Sequence, residues 1–428
     1  MSAIEESERA SVPWDSPVVR VVLASTLLAP LGVPLVSPAL PVIRDAFGVT
    51  DAAASLLITA YFLTGIVLSP FLGMLADRIG RRRVLVGSLL VFGLSGGAVA
   101  LADSFATVLA LRVISGTAAA GIFVTTVTIL GDAFEGVQRN AVLGANTAVL
   151  STGAAAFPIV GGALVAFGWN APFLTYLLAV PLAVVAWYAL TDLEHDTNPE
   201  NGGATRYLRG VAGSLVASGT AVYYVATFAA ELLFFGAVLT TLPFLLTGTF
   251  ALSPVLVGLT LTVAEVAAIA VAAANGRFAE RVRNGPLVAA GFVCLATGLG
   301  ITWLATGLGT AGVVAPLVIG AGVLFVGAGA GLVLPSVDAE VSRLVPTQFR
   351  AGALSLRNSA TFLGRAAGPV VFAGIAITTG YATLLLIAGV ASLVCAVVLA
   401  VVTGRVVEDV EDDVGGTVDD AVAPTEVR

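Results

Sequence analysis

Apolar residues in this chain run in long unbroken stretches separated by short polar breaks. Twelve such stretches fall near 18–40, 52–75, 83–102, 105–130, 140–167, 171–191, 213–246, 253–275, 286–307, 311–335, 349–379 and 381–403. A helix crossing the ~30 Å hydrocarbon core of a bilayer needs about 20 apolar residues. Lipid offers no partner for backbone N–H and C=O groups, so a span is a helix or part of a closed barrel. Barrel strands alternate apolar and polar positions over about ten residues; these runs are continuous over about twice that length. The pattern therefore predicts an all-α membrane protein with twelve transmembrane helices.

The second half of the chain repeats the first. Gly73, Asp77 and Arg78 after the second run return as Gly276, Glu280 and Arg281 after the eighth, an offset of 203; Arg139, Gly153 and Pro158 return as Arg350, Gly364 and Pro369, an offset of 211. The matched positions are charged, Gly or Pro, which chance similarity among apolar residues does not produce. Two parallel six-helix repeats with a substrate site between them near the midplane is a recognised transporter plan. The expected organisation is a tail over 1–17, a six-helix bundle over 18–191, a loop over 192–212, a pseudo-symmetric six-helix bundle over 213–403 and an acidic, disordered tail over 404–428. Glu5, Glu6 and Glu8 stand where a cleaved signal peptide has its basic region, so the first run is read as a retained span.

Composition sharpens this picture. Residues are 58% hydrophobic and 11% charged, against about 25% charged in soluble domains, and the mean hydropathy of +1.01 excludes a mostly water-exposed surface. All 20 basic residues are Arg, beside 27 acidic ones; high genomic GC content or a salt-adapted, halophilic source would each explain that. Sixteen Arg lie in loops and tails on one side of the predicted spans, Arg44 alone on the other, and Arg112, Arg357 and Arg365 within spans. By the positive-inside rule this expects a multi-pass protein of the cell membrane with both termini cytoplasmic. Cys294 and Cys395 fall in apolar runs and read as small hydrophobes. The sequence has no P-loop, no metal-ligand cluster around its single His195 and no nucleophile–base constellation, and its Arg residues are not patterned for nucleic acid. The expectation is a non-enzyme without cofactor or metal, acting as a monomer in the lipid bilayer.

Three motifs carry chemistry. The first is Gly73-Met-Leu-Ala-Asp77-Arg78-Ile-Gly80-Arg81-Arg82-Arg83-Val-Leu85, between the second and third spans. Gly73 permits close helix approach, Gly80 a tight turn, and Asp77 places an anion at a helix end, where it can bond an Arg or another helix's N-terminus. This run resembles the signature of the major facilitator superfamily between helices 2 and 3. The resemblance extends over roughly 18–403 and implies a latch of the two halves on the cytoplasmic face; a plainer role for Arg81–Arg83 is orientation and contact with anionic headgroups. The second motif, Gly144, Gly153, Phe157-Pro158 and Gly161-Gly162 in the fifth span, resembles the antiporter signature of that family's drug:proton exchangers. It implies a hinge and a seal, with Phe157 standing where the family has Gly; ordinary small-residue packing is the alternative. The third, Arg112 to Gly116 in the fourth span, resembles a pattern tied to proton coupling.

Ionisable groups inside spans are functional candidates by default. Glu231 and Glu265 are the candidate proton carriers, with Arg112 and Arg357 as coupling cations and Arg357 the expected charge partner; a static Glu–Arg pair is the competing reading. Burial opposes the charged form of a carboxyl and a nearby cation favours it, so a carboxyl between those influences is poised to exchange a proton. Helix 1 lacks the acidic residue familiar in many drug antiporters. Tyr61, Asn146, Tyr223, Tyr224, Phe228 and Asn358 are candidate cavity residues, and packing or interface roles compete for each. The expected function is secondary active transport by alternating access: proton-coupled efflux of a hydrophobic or amphiphilic small molecule. A symporter or uniporter of a metabolite, or a non-transporting membrane sensor, are the alternatives.

Overall fold

Within the described residues every long apolar run folds as helix, and there is no strand. The computed structural model describes residues 11–190, 219–308 and 313–420; the expected N-terminal tail in part, the 192–212 loop and the end of the acidic tail lie outside them. Among the described residues, ten segments are long and apolar enough to cross a membrane. They are α1 (Pro17–Phe47), α3 (Arg81–Leu101), α4 (Phe105–Ala133), α5 (Gly136–Phe167), α6 (Ala171–Ala189), α7 (Ala221–Gly248), α8 (Pro254–Ala279), α9 (Asn284–Thr306), α10 (Val314–Leu344) and a final stretch, Gly352–Thr403. That stretch is two spans meeting at Gly380, whose φ of 75° breaks the helix into α11 (350–379) and α12 (381–403). Helix α2 (Asp51–Ile79) completes the twelve.

Local chemistry sets the ends. The Thr50 hydroxyl accepts the Ala53 N–H at 3.1 Å to cap α2, and Ser104 accepts from Thr107 at 3.2 Å to cap α4. Gly80, at φ 98°, makes the turn between α2 and α3. Four ends run past expectation: α1 to Phe47, α2 to Ile79, α8 to Ala279 and α10 to Leu344, beyond the 40, 75, 275 and 335 read from hydropathy. Charged residues ended the apolar runs on paper, but a helix continues for a turn or two beyond the hydrocarbon. The backbone after α12 likewise stays helical to Asp420, where a disordered tail was expected; extending an existing helix avoids the cost of nucleating one.

Two helices are irregular at matching places in the two halves. In α1, Pro30, Pro34 and Pro38 remove N–H donors, and the chain passes through 3₁₀ turns at Ala29–Gly32 and Ser37–Ala39. The freed carbonyls find other donors: Tyr61 OH reaches Ala29 O at 3.2 Å, Tyr176 OH reaches Leu31 O at 2.7 Å, and Arg112 donates to Gly32 O. In α7, Phe234–Thr241 is π-helical, with the Thr240 and Thr241 hydroxyls donating to carbonyls five residues back, Phe235 O and Gly236 O. The Ser37 hydroxyl in the broken part of α1 donates to Leu239 O in the π segment of α7, joining the halves.

Small residues let the spans touch backbone to backbone. A methyl added at Gly162 of α5 would sit 2.2 Å from Pro254 O of α8, and one at Gly258 of α8 would sit 2.1 Å from Pro158 O of α5. Gly161 and Gly153 pack α5 against the Leu35 and Leu27 carbonyls of α1, as Gly364 and Gly368 pack α11 against those of Phe228 and Leu232 in α7. The repeat read from the sequence is thus a repeat of packing.

Candidate functional site

Between the halves lies a cavity of about 390 Å³, walled by α1, α2, α4 and α5 on one side and α7, α8, α10 and α11 on the other. Its ionisable lining residues are Glu231, Glu265, Arg357 and Arg365, joined by Tyr61, Asn358 and the rings of Phe62, Phe123, Phe234, Phe235 and Phe362. Arg357, Thr361 and Arg365 recur every fourth residue, which places all three on one face of α11.

The charges are paired in a way the sequence reading did not foresee. Glu231 is bound by Arg365, with Nε to Oε2 at 3.0 Å and Nη2 to Oε1 at 2.9 Å. Arg357, expected to partner a glutamate, instead grips Asp338 of α10 with both arms of its guanidinium, Nε to Oδ1 at 2.5 Å and Nη2 to Oδ2. Its Nη1 also donates to Asn358 Oδ1 at 3.1 Å and to Thr361 at 3.4 Å. Asp338 was missed because hydropathy ended the tenth span three residues before it. Glu265 makes no hydrogen bond or ion pair among the described residues, although it shares the field of Arg365 with Glu231.

Aromatic rings enclose the Arg365 guanidinium. It lies 5.0 Å from the Phe235 ring centre and 5.9 Å from that of Phe62. Phe62 in turn meets Phe235 edge-on at 5.3 Å and Phe362 at 6.2 Å, so α2, α7 and α11 contribute to one aromatic cluster. Of the aromatics expected in the cavity only Tyr61 lines it. Tyr223, Tyr224 and Phe228 lie outside; they share a face of α7 with Glu231 but sit about one to two turns nearer its start. Asn146 is also outside; its carboxamide accepts the Thr26 hydroxyl at 2.5 Å and ties α5 to α1.

Arg112 is fully buried and faces no carboxylate. Its Nε reaches Leu57 O at 3.0 Å, its Nη1 reaches Tyr176 OH at 2.8 Å, its Nη2 takes Gly32 O, and its guanidinium lies 4.5 Å from the Tyr61 ring centre. Its geometry is that of a brace, holding the broken part of α1 against α2 and α6.

The Gly73–Leu85 motif lies at the arginine-rich end. Asp77 is 61% exposed and 3.7 Å from Arg81, whose closer partner is Asp132 at the end of α4; Arg81 also donates to Thr128 O at 3.0 Å. Arg82 lies over Trp187 of α6, 4.4 Å from its ring centre, and Arg78 is exposed. Among the described residues, these partners of Asp77 and Arg81 belong to α2–α4, within the first half. A methyl at Gly73 would make only ordinary contact with Val124 at 3.8 Å, so the close approach expected there is absent. The halves meet on the other side. Thr59 donates to Ala366 O at 2.8 Å and Thr262 to Ala155 O at 2.7 Å. At the Arg44 end itself, Asp51 accepts from Arg44 at 2.8 Å and from the Tyr381 hydroxyl.

In the fifth-span motif, Gly153, Pro158, Gly161 and Gly162 are buried at contacts with α1 and α8, while Gly144 has nothing within 4 Å of an added methyl. Phe157, standing where the family has Gly, does not open this interface, because Gly162 and Gly258 make it reciprocally.

Solved transporters share this architecture. The D-xylose-proton symporter superposes with a TM-score of 0.73 at 16% identity over 90% of this chain and 96% of that one. The nucleoside transporter NupG gives 0.70 at 13% identity over 90% of this chain and 99% of that one. In sequence, the chain is 34% identical over 154 residues to the bacillibactin exporter of Bacillus subtilis (strain 168), covering 34% of this chain and 38% of that protein. It is 29% identical over 166 residues to the quinolone resistance protein NorA of Staphylococcus aureus (strain MRSA252), covering 39% and 42%. These matches span about two fifths of the length of each relative. The sequence profile of the Major Facilitator Superfamily matches residues 22–326, most of the chain, and the protein belongs to that family.

Proposed function

We propose that the protein exports a hydrophobic or amphiphilic small molecule in exchange for protons, with Glu265 as the proton carrier. One observation carries the reading: Glu265 lines the cavity without an ion pair, whereas Glu231 and the Asp338 beside the cavity are each held by two arms of an arginine. A carboxyl freed from any fixed cation gains or loses its proton as the surroundings of the cavity change. Glu231, locked to Arg365, is the static member of the pair.

The aromatic and aliphatic lining suits an apolar body, and the names of the two sequence relatives, an exporter and a drug-resistance protein, favour outward transport. The arginine bias supports both termini in the cytoplasm. With that orientation the halves are joined on the outer side and the Asp77 latch is disengaged on the inner one. That is the state in which an exporter loads its cargo.

The test is dye transport in proteoliposomes under an imposed pH gradient. Glu265→Gln is expected to abolish gradient-driven movement while retaining dye-for-dye counterflow. Glu231→Gln is expected to lower the melting temperature as well as the rate, since it loosens Arg365. Gradient-driven transport that survives in Glu265→Gln would remove this residue as the carrier.

A further inference from the structure

The arginine-rich run after the second span is repeated after the eighth, and the two copies are used differently. In the first copy the guanidiniums are engaged. Arg81 meets Asp132 and Thr128 O, Arg82 donates to Trp187 O and lies over its ring, and Arg83 donates to Ile79 O at 3.3 Å. In the second copy Arg277, Arg281 and Arg283 are exposed, and none makes a hydrogen bond or ion pair among the described residues. Glu280 is exposed beside them, and Phe278 and Val282 are each 43% exposed. Three cations against one anion, with two bare apolar side chains among them, call for a partner that is both acidic and apolar.

The fold brings such a partner to this place. The offset of 203 carries Arg82 onto Gly285, at the start of α9. Where Arg82 holds the end of α6, Gly285 meets the last helix of its own half, α12: a methyl added there would lie 3.1 Å from Thr403. Further along the same antiparallel pair, the Ser392 hydroxyl donates to Phe292 O at 2.9 Å. Yet α6 ends at Ala189, whereas the backbone after Thr403 stays helical to Asp420. At about 1.5 Å per residue, positions 405–408 pass the start of α9 within about 8 Å of Thr403, level with the 280–283 turn. Residues 405–414 read Arg-Val-Val-Glu-Asp-Val-Glu-Asp-Asp-Val. That is one cation and five anions, with Val407, Val410 and Val414 at helical spacing.

We infer that the segment 404–420 docks on the α8–α9 turn as an acidic amphipathic strap that fastens α12 to the end of α8. Its carboxylates neutralise Arg277, Arg281 and Arg283, and its valines cover Phe278 and Val282. Anionic lipid headgroups are the competing occupant of a basic turn, but they would approach past five carboxylates that leave the membrane beside it. The segment is also tethered within a few residues of the turn, and that raises its effective concentration over a free partner's.

Hydrogen exchange read by mass spectrometry on the full chain in neutral detergent tests this, at about 0.1 M salt, where charges attract over about 10 Å. Arg277→Glu, Arg281→Glu and Arg283→Glu together are expected to lower protection of the 404–420 amides about ten-fold, as loss of several exposed pairs would. Glu408→Arg, Glu411→Arg and Asp412→Arg together should do the same, and should also unprotect the amides of 280–283. Combining the two sets should restore protection at both places. Equal protection in wild type and in either reversed set, or no recovery in the combination, would overturn the docking. So would protection of the turn that appears only in phosphatidylglycerol nanodiscs, not in phosphatidylcholine ones; that result assigns the turn to lipid headgroups. Melting curves check folding, and if the turn variant unfolds, the tail variant read at 280–283 decides the matter.

Discussion

At the scale of single residues, the cavity separates ionisable groups that hold structure from one that is free to change charge. Glu231 is 4% exposed, and removing its arginine strands a buried carboxylate, a loss of about 3–5 kcal/mol in comparable buried pairs. Arg365→Ala is therefore expected to lower stability by that order in a detergent melt. The double variant with Glu231→Ala should recover much of the loss, because no charge is left alone. Arg112 gives a second contrast. Its planar fork serves Leu57 O, Tyr176 OH and Gly32 O together, and an ammonium cannot reproduce that geometry. Arg112→Lys should lower the melting temperature and leave the pH profile of transport in place; a displaced profile would return Arg112 to the coupling machinery.

At the scale of elements, backbone contact between α5 and α8 decides how the Arg44 side is sealed. Alanine at Gly258 would drive its methyl to 2.1 Å from Pro158 O, which the two helices relieve only by separating, whereas a methyl at Gly144 of α5 meets nothing. Overpacking of this kind costs about 1–3 kcal/mol. Gly258→Ala should destabilise the closed seal, raising the labelling rate of a cysteine placed at Tyr61, while Gly144→Ala behaves as wild type in the same assay. Equal labelling of the two variants would mean that small-residue packing here is not a seal. The irregular stretches of α1 and α7 belong to this scale as well, since Ser37 joins them across the halves.

For the whole molecule, the relevant contrast is between the two ends. At the Arg44 end, Asp51 is shared between Arg44 of the first half and Tyr381 of the second; Arg44 also lies 5.8 Å from the Phe244 ring centre, and Phe244 stacks on Tyr381. At the arginine-rich end, Asp77 pairs with Arg81 of its own half, its one ion-pair partner among the described residues. Tyr381→Phe should shift the population toward the state open at the Arg44 end, read as longer spin-label distances across that end. Asp77→Asn should leave the present state's stability unchanged, an exposed pair being worth about 0–1 kcal/mol, and slow turnover by weakening the opposite state. Faster or unchanged turnover in Asp77→Asn would sink the latch role.

The sequence by itself determined the membrane setting, the helical spans, the repeat and the family, because each rests on local pattern. An apolar run needs no neighbour to declare itself, and Gly80 announces its turn without the rest of the fold. It also singled out Glu231, Glu265, Arg112 and Arg357, since a charge in lipid is conspicuous wherever it points. Only the tertiary structure decided which charge meets which. Arg357 and Arg365 look alike in the sequence, two turns apart on one helix, yet one faces Asp338 and the other Glu231. Tyr223, Tyr224 and Phe228 share α7 with Phe234 and Phe235, and the depth of the cavity along that helix takes in only the last two. A pairing depends on the relative rotation and depth of two helices far apart in the chain. Those are settled by backbone contacts at small residues such as Gly364 and Gly368, and hydropathy carries no record of them.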